Sequence, residues 1–240
     1  CTSIIISQSL SMNFSWRYYL STIINLLLPA RCFSCQQSGY FLCPDCLSLI
    51  PKANKPELSD TEAVFSYQNL AIKQAIWRLK YQGSQAIARD LARALNNYWR
   101  EKTKINNQNN LANLELEPWL VIPIPIASRR QKERGFNQTE LIAQEFVRLN
   151  SLNKNNFILL SEKILIKNRD TVSQQKMADR ASRLNNLKDA FTVTQPDLVK
   201  NQNILLIDDV ITTGATISEA RKTLLQAGAR KVHGLAVAHG

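Results

Sequence analysis

Short apolar runs alternate along the chain with stretches in which apolar residues recur at helical spacing. The runs are bounded by polar residues and are too short for helices, as is typical of buried strands. They predict strands at Ala63–Tyr67, Trp119–Ile126, Phe157–Leu160, Lys163–Ile166, Asn203–Asp208 and Lys231–Ala238. Helical spacing predicts helices at Ile72–Leu79, Ser84–Arg100 and Ala215–Ala227, and a further helix after residue 138 that ends near Leu149. Strands that alternate with helices predict an α/β fold, with a mostly parallel sheet flanked by helices.

Polar stretches separate these elements. Pro51–Pro56, with its lysines, predicts a linker, and the Asn-rich stretch Lys104–Asn113 predicts a loop or a poorly ordered insertion. A polar, basic stretch runs from Asn168 to Lys188. We therefore divide the chain into residues 1–58, an N-terminal helix and a cysteine-containing module, and residues 59–240, the α/β domain with an Asn-rich insertion at 104–117.

The N-terminal apolar segment, Tyr18–Pro29, is short and contains polar residues. A helix that spans a bilayer needs about 20 apolar residues, so this segment predicts an amphipathic helix and no membrane insertion. A signal peptide is the alternative, because Arg17 precedes the apolar run. The sequence begins at Cys1, and if Met12 is the true start, residues 1–11 lie outside the native chain. We expect a cytoplasmic protein.

The composition narrows the classes of function. With 45% hydrophobic and 20% charged residues among 240, the chain can form a core and is not expected to be disordered. Its formal net charge of +11 favours phosphorylated or polyanionic partners. Neither G-x-G-x-x-G nor G-x-x-x-x-G-K-[ST] occurs, so the common nucleotide-binding loops are excluded. The two histidines, His233 and His239, lie near the C-terminus, which argues against a Ser-His-Asp triad or a His-rich metal centre.

Four of the five cysteines form a C-x2-C-x7-C-x2-C cluster. Each C-x2-C turn can direct two thiolates at one ion, and two such turns complete a tetrahedral zinc site. Redox chemistry would need a thioredoxin-like βαβ pattern beside one pair, and disulfides suit secreted chains better. We therefore predict a structural Zn²⁺ site with no open position for a catalytic water. Its ligands are Cys32, Cys35, Cys43 and Cys46.

The most informative segment is Ile204–Thr216, an apolar strand that ends in Asp208 and Asp209 and is followed by a short loop. In an open α/β sheet, ligands bind at the carboxyl ends of the strands. Backbone N–H groups of the loop and the next helix can surround a phosphate, while the carboxylates accept hydrogen bonds from vicinal ribose hydroxyls or hold hydrated Mg²⁺. The pattern indicates a ribose 5-phosphate site; a capped helix after an acidic turn is the alternative. The loop residues are Thr212, Thr213, Gly214, Ala215 and Thr216.

This segment resembles the 13-residue phosphoribosyl pyrophosphate motif of type I phosphoribosyltransferases. Other stretches are similar to the ComF family of competence-related proteins, and together they cover most of the chain from about Leu26 onward. They are Val121–Pro125 with Arg129 and Arg130, R-G-F-N-Q at Arg134–Gln138, Arg169 with Thr171 and Gln174, Arg183 with Asn186, Ala190–Phe191, Lys80-Tyr81-x-Gly83 and the four-cysteine cluster. Met177 stands where this pattern leads us to expect Leu. The resemblance implies a type I phosphoribosyltransferase-like fold with a small N-terminal zinc-binding module.

Type I enzymes of this kind displace pyrophosphate from the ribose C1 carbon with a nucleophile. The resemblance implies that Thr212–Thr216 bind the 5-phosphate and that Asp208 and Asp209, the catalytic candidates, bind the ribose hydroxyls. Pyrophosphate with Mg²⁺ needs cations, although a lone Lys or Arg is as readily a solvated surface residue. The candidate cations are Lys80, Arg129, Arg130, Arg134 and Arg169.

For two smaller groups of polar residues, the sequence allows two roles each. Asn137 and Gln138 either contact a polar partner or cap the helix that begins there. Arg169 either contributes to the ligand site or forms, with Arg180 and Arg183, a helix face that binds nucleic-acid phosphates.

The resemblance implies binding of phosphoribosyl pyrophosphate and a role in DNA uptake, competence or recombination, with phosphoribosyl transfer as the candidate activity. One alternative is a non-catalytic scaffold that binds single-stranded DNA or a helicase. Another is a purine-salvage phosphoribosyltransferase, but no base-specific pocket is recognisable after Ala227. No aromatic stacking platform for nucleic acid is evident in the sequence. The acceptor, the protein partner and the oligomeric state stay open.

Overall fold

A sheet of five parallel strands forms the centre of the protein. We describe it from a computed structural model, in which residues 30–54, 58–108, 118–151, 157–159, 163–168 and 190–240 are described. The strands are β1 (Thr61–Ser66), β2 (Trp119–Pro123), β3 (Phe157–Leu159), β4 (Leu165–Lys167), β5 (Phe191–Val193), β6 (Asn203–Ile211) and β7 (Lys231–His239). The sheet has the order β1-β7-β6-β2-β3, and β4 and β5 form a separate antiparallel pair.

Helices connect these strands and cover both faces of the sheet. They are α1 (Pro44–Ser48), α2 (Leu70–Gln82), α3 (Gln85–Gln108), α4 (Ser128–Arg134), α5 (Gln138–Ser151) and α6 (Ala215–Gln226). A short 3₁₀ turn, Pro196–Leu198, precedes β6. Asn69 caps α2, because its side chain accepts hydrogen bonds from the N–H groups of Ala71 and Ile72.

Two apolar clusters, one on each face of the sheet, hold the layers together. Helices α2, α3 and α5 pack on the first face, and α6 with the β4–β5 pair packs on the second. Side chains of β6 alternate between them: Leu205 and Ile207 lie in the first cluster, Ile204 and Leu206 in the second. Because β6 is buried on both faces of the sheet, its sequence from Ile204 to Ile207 is one continuous apolar run. The predicted fold class, a parallel sheet flanked by helices, is confirmed.

The sheet has a crevice at the carboxyl ends of β2 and β6. These strands are neighbours, but the chain continues from β2 to α5 on the first face and from β6 to α6 on the second. β2 ends at Pro123, which pairs with Ile207, whereas β6 continues beside β7 to Ile211. Neighbouring strands whose connections diverge in this way form the usual ligand-binding crevice of open α/β sheets.

The observed boundaries correct two predictions and add one helix. α3 continues to Gln108, so Lys104–Gln108 is helical and not a loop; once a helix is nucleated, each further residue adds a hydrogen bond, and Lys, Gln and Asn do not break it. β6 extends past Asp208 because its pairing with β7 continues to Ile211. The basic segment 129–138 contains a short helix of its own, α4. The predictions for 18–29, 109–113 and 169–188 lie outside the described residues.

The four-cysteine module packs on the same core as α2 and α3. Leu42 and Ile50 belong to the first cluster. Asp90 of α3 accepts hydrogen bonds from the backbone N–H groups of Phe41 at 2.8 Å and Leu42 at 3.2 Å. The module is therefore fixed to the α/β layer by apolar contacts and by a buried carboxylate. The predicted division of the chain at residue 58 stays a prediction.

The predicted linker at Pro51–Pro56 begins as an edge beside β1. Ser66 N donates to Pro51 O, and Ala53 N donates to Val64 O. These bonds use backbone groups that an exposed edge strand would leave unpaired. Among the helices of the described ranges, none is both long and apolar enough to cross a lipid bilayer.

Candidate functional site

Asp208 and Asp209 lie in the part of β6 that extends beyond the end of β2. Successive strand residues point to opposite faces, so the two carboxylates diverge. Asp209 lies on the first face, and Asp208 on the second, where its partner in β7, Ala236, belongs to the second cluster. Both residues are nearly buried, with 8% of Asp208 and 5% of Asp209 exposed. The strand thus holds both acids in buried positions at the carboxyl end of the sheet.

Two helices of the first face supply the partners of Asp209. Lys80 of α2 forms a salt bridge with it, with Nζ 2.8 Å from Oδ2. Gln138 of α5 donates from Nε2 to the same oxygen at 3.2 Å. Burial opposes the charge on Lys80, but the Asp209 carboxylate outweighs burial and raises the pKa of Lys80. Lys80 is therefore a charged ammonium that is held against Asp209.

Asp208 has no comparable cation of its own among the described residues. Burial raises its pKa to about 8, and the charge of Asp209 acts in the same direction. The N–H of Asp209, which donates to Asp208 Oδ1 at 2.8 Å, and the more distant Lys80 act against this shift. A ligand that brings a cation or hydroxyl donors would lower this pKa and favour the carboxylate form.

The loop after β6 has the backbone that the motif requires. Gly214 has φ 73°, a left-handed conformation that glycine adopts without strain, and α6 begins at the next residue. A Cβ at position 214 would clash with Leu58, so the loop packs against the segment that precedes β1. Thr212 is exposed, and Thr213 and Thr216 are half-buried.

The first turn of α6 has no side-chain cap from its N-cap residue. Gly214, its N-cap, has no side chain to accept hydrogen bonds from the first N–H groups, and Thr213 Oγ1 receives only a long bond, 3.5 Å, from Ala215 N. The first N–H groups of a helix have no partner within the helix, and they lie at the positive end of its dipole. These groups can surround a phosphate.

The structure brings two of the five predicted cations to the acids. Lys80 contacts Asp209 directly, and Arg134 reaches it through Gln138, whose Oε1 accepts from Arg134 Nη1 at 2.9 Å. Arg129 lies on the exposed face of α4, where its Nε is 2.8 Å from Glu133. Arg130 is also exposed on α4. Arg169 lies outside the described residues.

Of the two interpretations of Asn137 and Gln138, helix capping applies to Asn137 and contact with a polar partner applies to Gln138. Asn137 precedes α5, and its Oδ1 accepts from Thr139 N at 3.2 Å, so it caps the helix. Its Nδ2 also donates to Ile124 O, which ties α5 to the chain just after β2. Gln138 instead contacts a polar partner, Asp209. Sequence reasoning did not anticipate the ring of Tyr81 beside Arg134, 5.3 Å from the guanidinium carbon, although Tyr81 adjoins Lys80 in the chain.

A second candidate site is the four-cysteine cluster. The sulfur atoms of the four predicted ligands lie within 4.8 Å of one another, and none forms a disulfide. Cys35 Sγ and Cys43 Sγ are 3.5 Å apart. Zinc–sulfur bonds of about 2.3 Å in a tetrahedral site place the sulfurs roughly 3.8 Å apart. The cluster could therefore hold a metal ion through Cys32, Cys35, Cys43 and Cys46.

Backbone N–H groups point at these thiols. Cys43 N donates to Cys32 Sγ and Cys46 N to Cys43 Sγ, each at 3.5 Å. Burial opposes ionisation of Cys32, but hydrogen bonds from the backbone of Cys35, Cys43 and Ser34 outweigh burial and lower its pKa to about 6. The thiolate is the form that binds metal ions, so these N–H groups favour metal binding.

Curated proteins resemble this chain, although no protein-family model matches it. Competence protein F of Haemophilus influenzae is 33% identical over 162 residues, which cover 65% of this chain and 63% of that protein. The DNA utilization protein YhgH of Escherichia coli K12 is 30% identical over 157 residues, 65% and 62% of the two chains. Competence protein ComFC of Bacillus subtilis is 26% identical over 205 residues, 80% and 69%. The chain spans less than two thirds of the first two relatives.

Solved structures match more weakly. The glutamine phosphoribosylpyrophosphate amidotransferase of Bacillus subtilis gives a TM-score of 0.35 at 17% identity, over 62% of this chain and 25% of that chain. The hypoxanthine phosphoribosyl transferase of Trypanosoma cruzi gives 0.36 at 7% identity, over 62% and 64%. Likeness at this level adds nothing to the fold described above.

Proposed function

Because this chain belongs to the ComF family of competence-related proteins, we propose that its crevice at the carboxyl end of β6 binds phosphoribosyl pyrophosphate with Mg²⁺. The observation that carries this proposal is the position of the ribose-phosphate motif. Asp208, Asp209 and the loop Thr212–Thr216 lie together where the connections of β2 and β6 diverge. That position is where open α/β sheets bind ligands, and this loop leads directly into the N-terminus of α6, whose first N–H groups can hold a phosphate.

Each part of the ligand has a matching group. N–H groups of the loop and of α6, with the hydroxyls of Thr212, Thr213 and Thr216, would hold the 5-phosphate. Asp208 and Asp209 would accept hydrogen bonds from the two ribose hydroxyls, whose arrival would ionise Asp208. When bound, Mg²⁺ would neutralise part of the pyrophosphate charge, and carboxylate oxygens are ligands that it accepts.

Lys80 and Arg134 are the cations closest to the acids, and both would turn toward the pyrophosphate. In the protein without ligand, Lys80 is held by Asp209, so binding would exchange this salt bridge for one with the ligand. Gln138 would keep Asp209 in place during the exchange, because its hydrogen bond to Oδ2 does not involve Lys80. Arg129, Arg130 and Arg169 stay candidates for the outer part of the ligand.

The candidate reaction is phosphoribosyl transfer. A nucleophile would form a bond to the ribose C1 carbon as the bond from C1 to the pyrophosphate oxygen breaks, and pyrophosphate would leave with the bonding electron pair. Such a reaction depends on positioning and on charge stabilisation more than on a protein nucleophile. The described crevice fits this requirement, since its polar side chains are carboxylates, amides, hydroxyls and cations.

The names of the relatives favour a role in DNA uptake or recombination. Two are competence proteins and one is a DNA utilization protein. We place this protein in the same process, in the cytoplasm, as either an enzyme or a non-catalytic binder of single-stranded DNA or a helicase.

For the cysteine cluster we propose Zn²⁺ with a structural role. Four thiols at mutual distances that suit a tetrahedral site favour this ion, and four protein ligands leave no position for a reactive water. Metal analysis of the purified protein should give one zinc per chain, and Cys43→Ser with Cys46→Ser should remove it. Another metal, or none, in freshly purified protein would contradict the assignment.

Calorimetric titration with phosphoribosyl pyrophosphate and Mg²⁺ tests the ligand site. Asp209→Asn should weaken binding about 30-fold, since a hydrogen bond to a charged group contributes about 2 kcal/mol. Asp197→Asn, an exposed acid in the 3₁₀ turn, is the matched control and should bind as wild type. Equal affinity of wild type and Asp209→Asn, or no binding by wild type, would refute the site. Release of pyrophosphate with a candidate base then separates the enzyme from the non-catalytic binder.

A further inference from the structure

A buried carboxylate of α3 holds the backbone of the four-cysteine module. Asp90 is 3% exposed, and its Oδ2 accepts hydrogen bonds from Phe41 N at 2.8 Å and from Leu42 N at 3.2 Å. Its other oxygen, Oδ1, pairs with Arg93 Nη1 at 3.1 Å. Burial of a carboxylate costs free energy that such partners offset only in part, and apolar contacts alone could attach the module. The carboxylate therefore points to a role beyond attachment.

The two residues held by Asp90 connect the two C-x2-C turns. Phe41 O accepts a hydrogen bond at 3.0 Å from Phe33 N, which belongs to the first turn. Leu42 directly precedes Cys43, the first predicted ligand of the second turn. The position of one turn relative to the other thus depends on the backbone of these two residues. Asp90 fixes that backbone from outside the module.

Two arginines of the α/β domain contact aromatic rings of the module. The guanidinium carbon of Arg93, the partner of Asp90, lies 5.5 Å from the ring centroid of Tyr40. Arg78 of α2 lies over the ring of Phe33 at 4.7 Å. Such contacts between a cation and an aromatic ring are attractive. Helices α2 and α3 therefore hold residues next to the predicted ligands in both halves of the module.

We propose that Asp90 is a positioning residue for the metal ion of the cysteine cluster, because its bonds to Phe41 N and Leu42 N order the two C-x2-C turns before the ion binds. The inference rests on the zinc site proposed above. A segment that becomes ordered on binding loses conformational entropy, whereas a segment that is ordered in advance binds its ligand more tightly. Groups that orient metal ligands without touching the metal typically contribute about 10- to 100-fold in affinity.

The test measures the zinc affinity of the full chain under reducing conditions, by competition between the zinc-loaded protein and a chromophoric chelator. Asp90→Ala should weaken zinc binding about 10- to 100-fold. Asp90→Asn keeps a neutral oxygen that can accept from the same N–H groups, so its affinity should lie between those of Asp90→Ala and wild type. If Asp90→Ala does not fold, Asp90→Asn carries the test, and an affinity equal to that of wild type would overturn the proposal.

Two matched controls separate positioning from charge and from general stability. Asp45→Asn removes an exposed carboxylate within the second C-x2-C turn, and it should bind zinc as wild type. Glu62→Ala removes a buried carboxylate of β1, outside the module, and it should also keep the zinc affinity of wild type. Equal zinc affinity of Asp90→Ala and wild type would overturn the proposal. An equal loss in Glu62→Ala would do so too, since general instability would then explain the effect.

Hydrogen exchange at two amides gives a direct readout of the proposed bonds. In the zinc-loaded wild type, the N–H groups of Phe41 and Leu42 should be protected, and removal of zinc should speed their exchange, because metal binding and these bonds favour each other. In zinc-loaded Asp90→Ala, both amides should exchange at least about tenfold faster, while the amides of β6 should not change. Unchanged protection of both amides in Asp90→Ala would contradict the proposal.

The outcomes also separate this inference from the proposed zinc site. Wild-type protein that contains no zinc and binds none would refute the zinc site itself, and the role of Asp90 with it. If wild type binds one zinc and Asp90→Ala binds it equally tightly, the zinc site is supported and only the role of Asp90 is wrong. Weaker binding in Asp90→Ala, with both controls unchanged, supports both.

Discussion

Two strands of the central sheet each contain a buried acid paired with a lysine, but the balance of charge differs. At the start of β1, Glu62 accepts a hydrogen bond from Tyr98 at 2.7 Å and forms a salt bridge with Lys102. At the carboxyl end of β6, Lys80 forms a salt bridge with Asp209 while Asp208 lies beside it. Glu62 is a single carboxylate with two donors, so its charge is balanced and the pair is structural. Asp208 and Asp209 share one ammonium, so a ligand that brings a cation or hydroxyl donors would stabilise them.

Breaking the pair at the start of β1 should have the largest effect on stability. Glu62→Ala would leave Lys102 without its carboxylate and the Tyr98 hydroxyl without its acceptor, in a region where Glu62 is 7% exposed. We expect a loss of about 3 kcal/mol in the free energy of unfolding, measured by urea denaturation. Glu133→Ala, which removes an exposed pair with Arg129, should change it by less than about 0.5 kcal/mol. A small loss in Glu62→Ala would show that this pair is not structural.

The region around Lys102 should also make stability depend on pH. His233 of β7 packs against Trp99, with ring centroids 5.3 Å apart, and within the described structure its Nε2 has no hydrogen-bond partner. Burial lowers the pKa of His233 to about 4, and the nearby cations Lys102, Lys231 and Arg221 act in the same direction, against Asp60.

The folded pKa of His233 is below its ordinary value of about 6.5, so the unfolded chain binds this proton more tightly. The stabilisation is fully present above pH 6.5 and is lost as the pH falls toward 4. Between pH 7 and pH 5 we expect wild type to lose about 2 kcal/mol through this residue. His233→Leu should remove that part of the pH dependence in urea titrations, whereas His239→Gln should retain it.

At the carboxyl end, Asp208→Asn should stabilise the protein. The folded pKa of Asp208, about 8, is raised above its ordinary value, so its stabilising effect is present at acidic pH and lost as the pH rises through 8. Asn cannot ionise, so at pH 8 the variant should be at least about 1 kcal/mol more stable, roughly 2–4 °C in Tm. The gain should shrink at pH 5.

The same variant should bind phosphoribosyl pyrophosphate more weakly, because an amide cannot replace the charge of a carboxylate. A gain in stability with a loss of binding is the usual sign of a functional site. Equal melting temperatures of Asp208→Asn and wild type at pH 8 would remove the contrast between the pair at Glu62 and the acids of β6.

Much of the ligand crevice was predictable because its parts are contiguous in the sequence. The strand, both acids and the loop fall within Ile204–Thr216, and an apolar run followed by Gly214 predicts both the strand and the turn. The four cysteines are equally local. The parallel sheet followed from the alternation of strands and helices, since each parallel pair needs a crossover.

The rest depends on tertiary packing, which has no local pattern. Gln138 and Asp209 are far apart in the chain, and only the adjacent positions of β2 and β6 bring them together. That the two acids face opposite sides of the sheet follows from the extension of β6 to Ile211, which pairing with β7 decides. The exposure of Trp77 and Tyr81 could be recognised only once the buried side of α2 was known.

The contact between Leu58 and Gly214 bears on how the loop after β6 keeps its shape. Because Leu58 fills the space that a side chain at 214 would need, the loop is braced from outside by the residues that lead into β1. The same residues hold α6, since Arg221 donates to Ser59 O at 3.1 Å and pairs with Asp60 at 2.7 Å. The loop after β6, helix α6 and the residues that precede β1 are therefore joined by direct contacts. An anion that binds to the loop would meet a backbone that these contacts already hold in place.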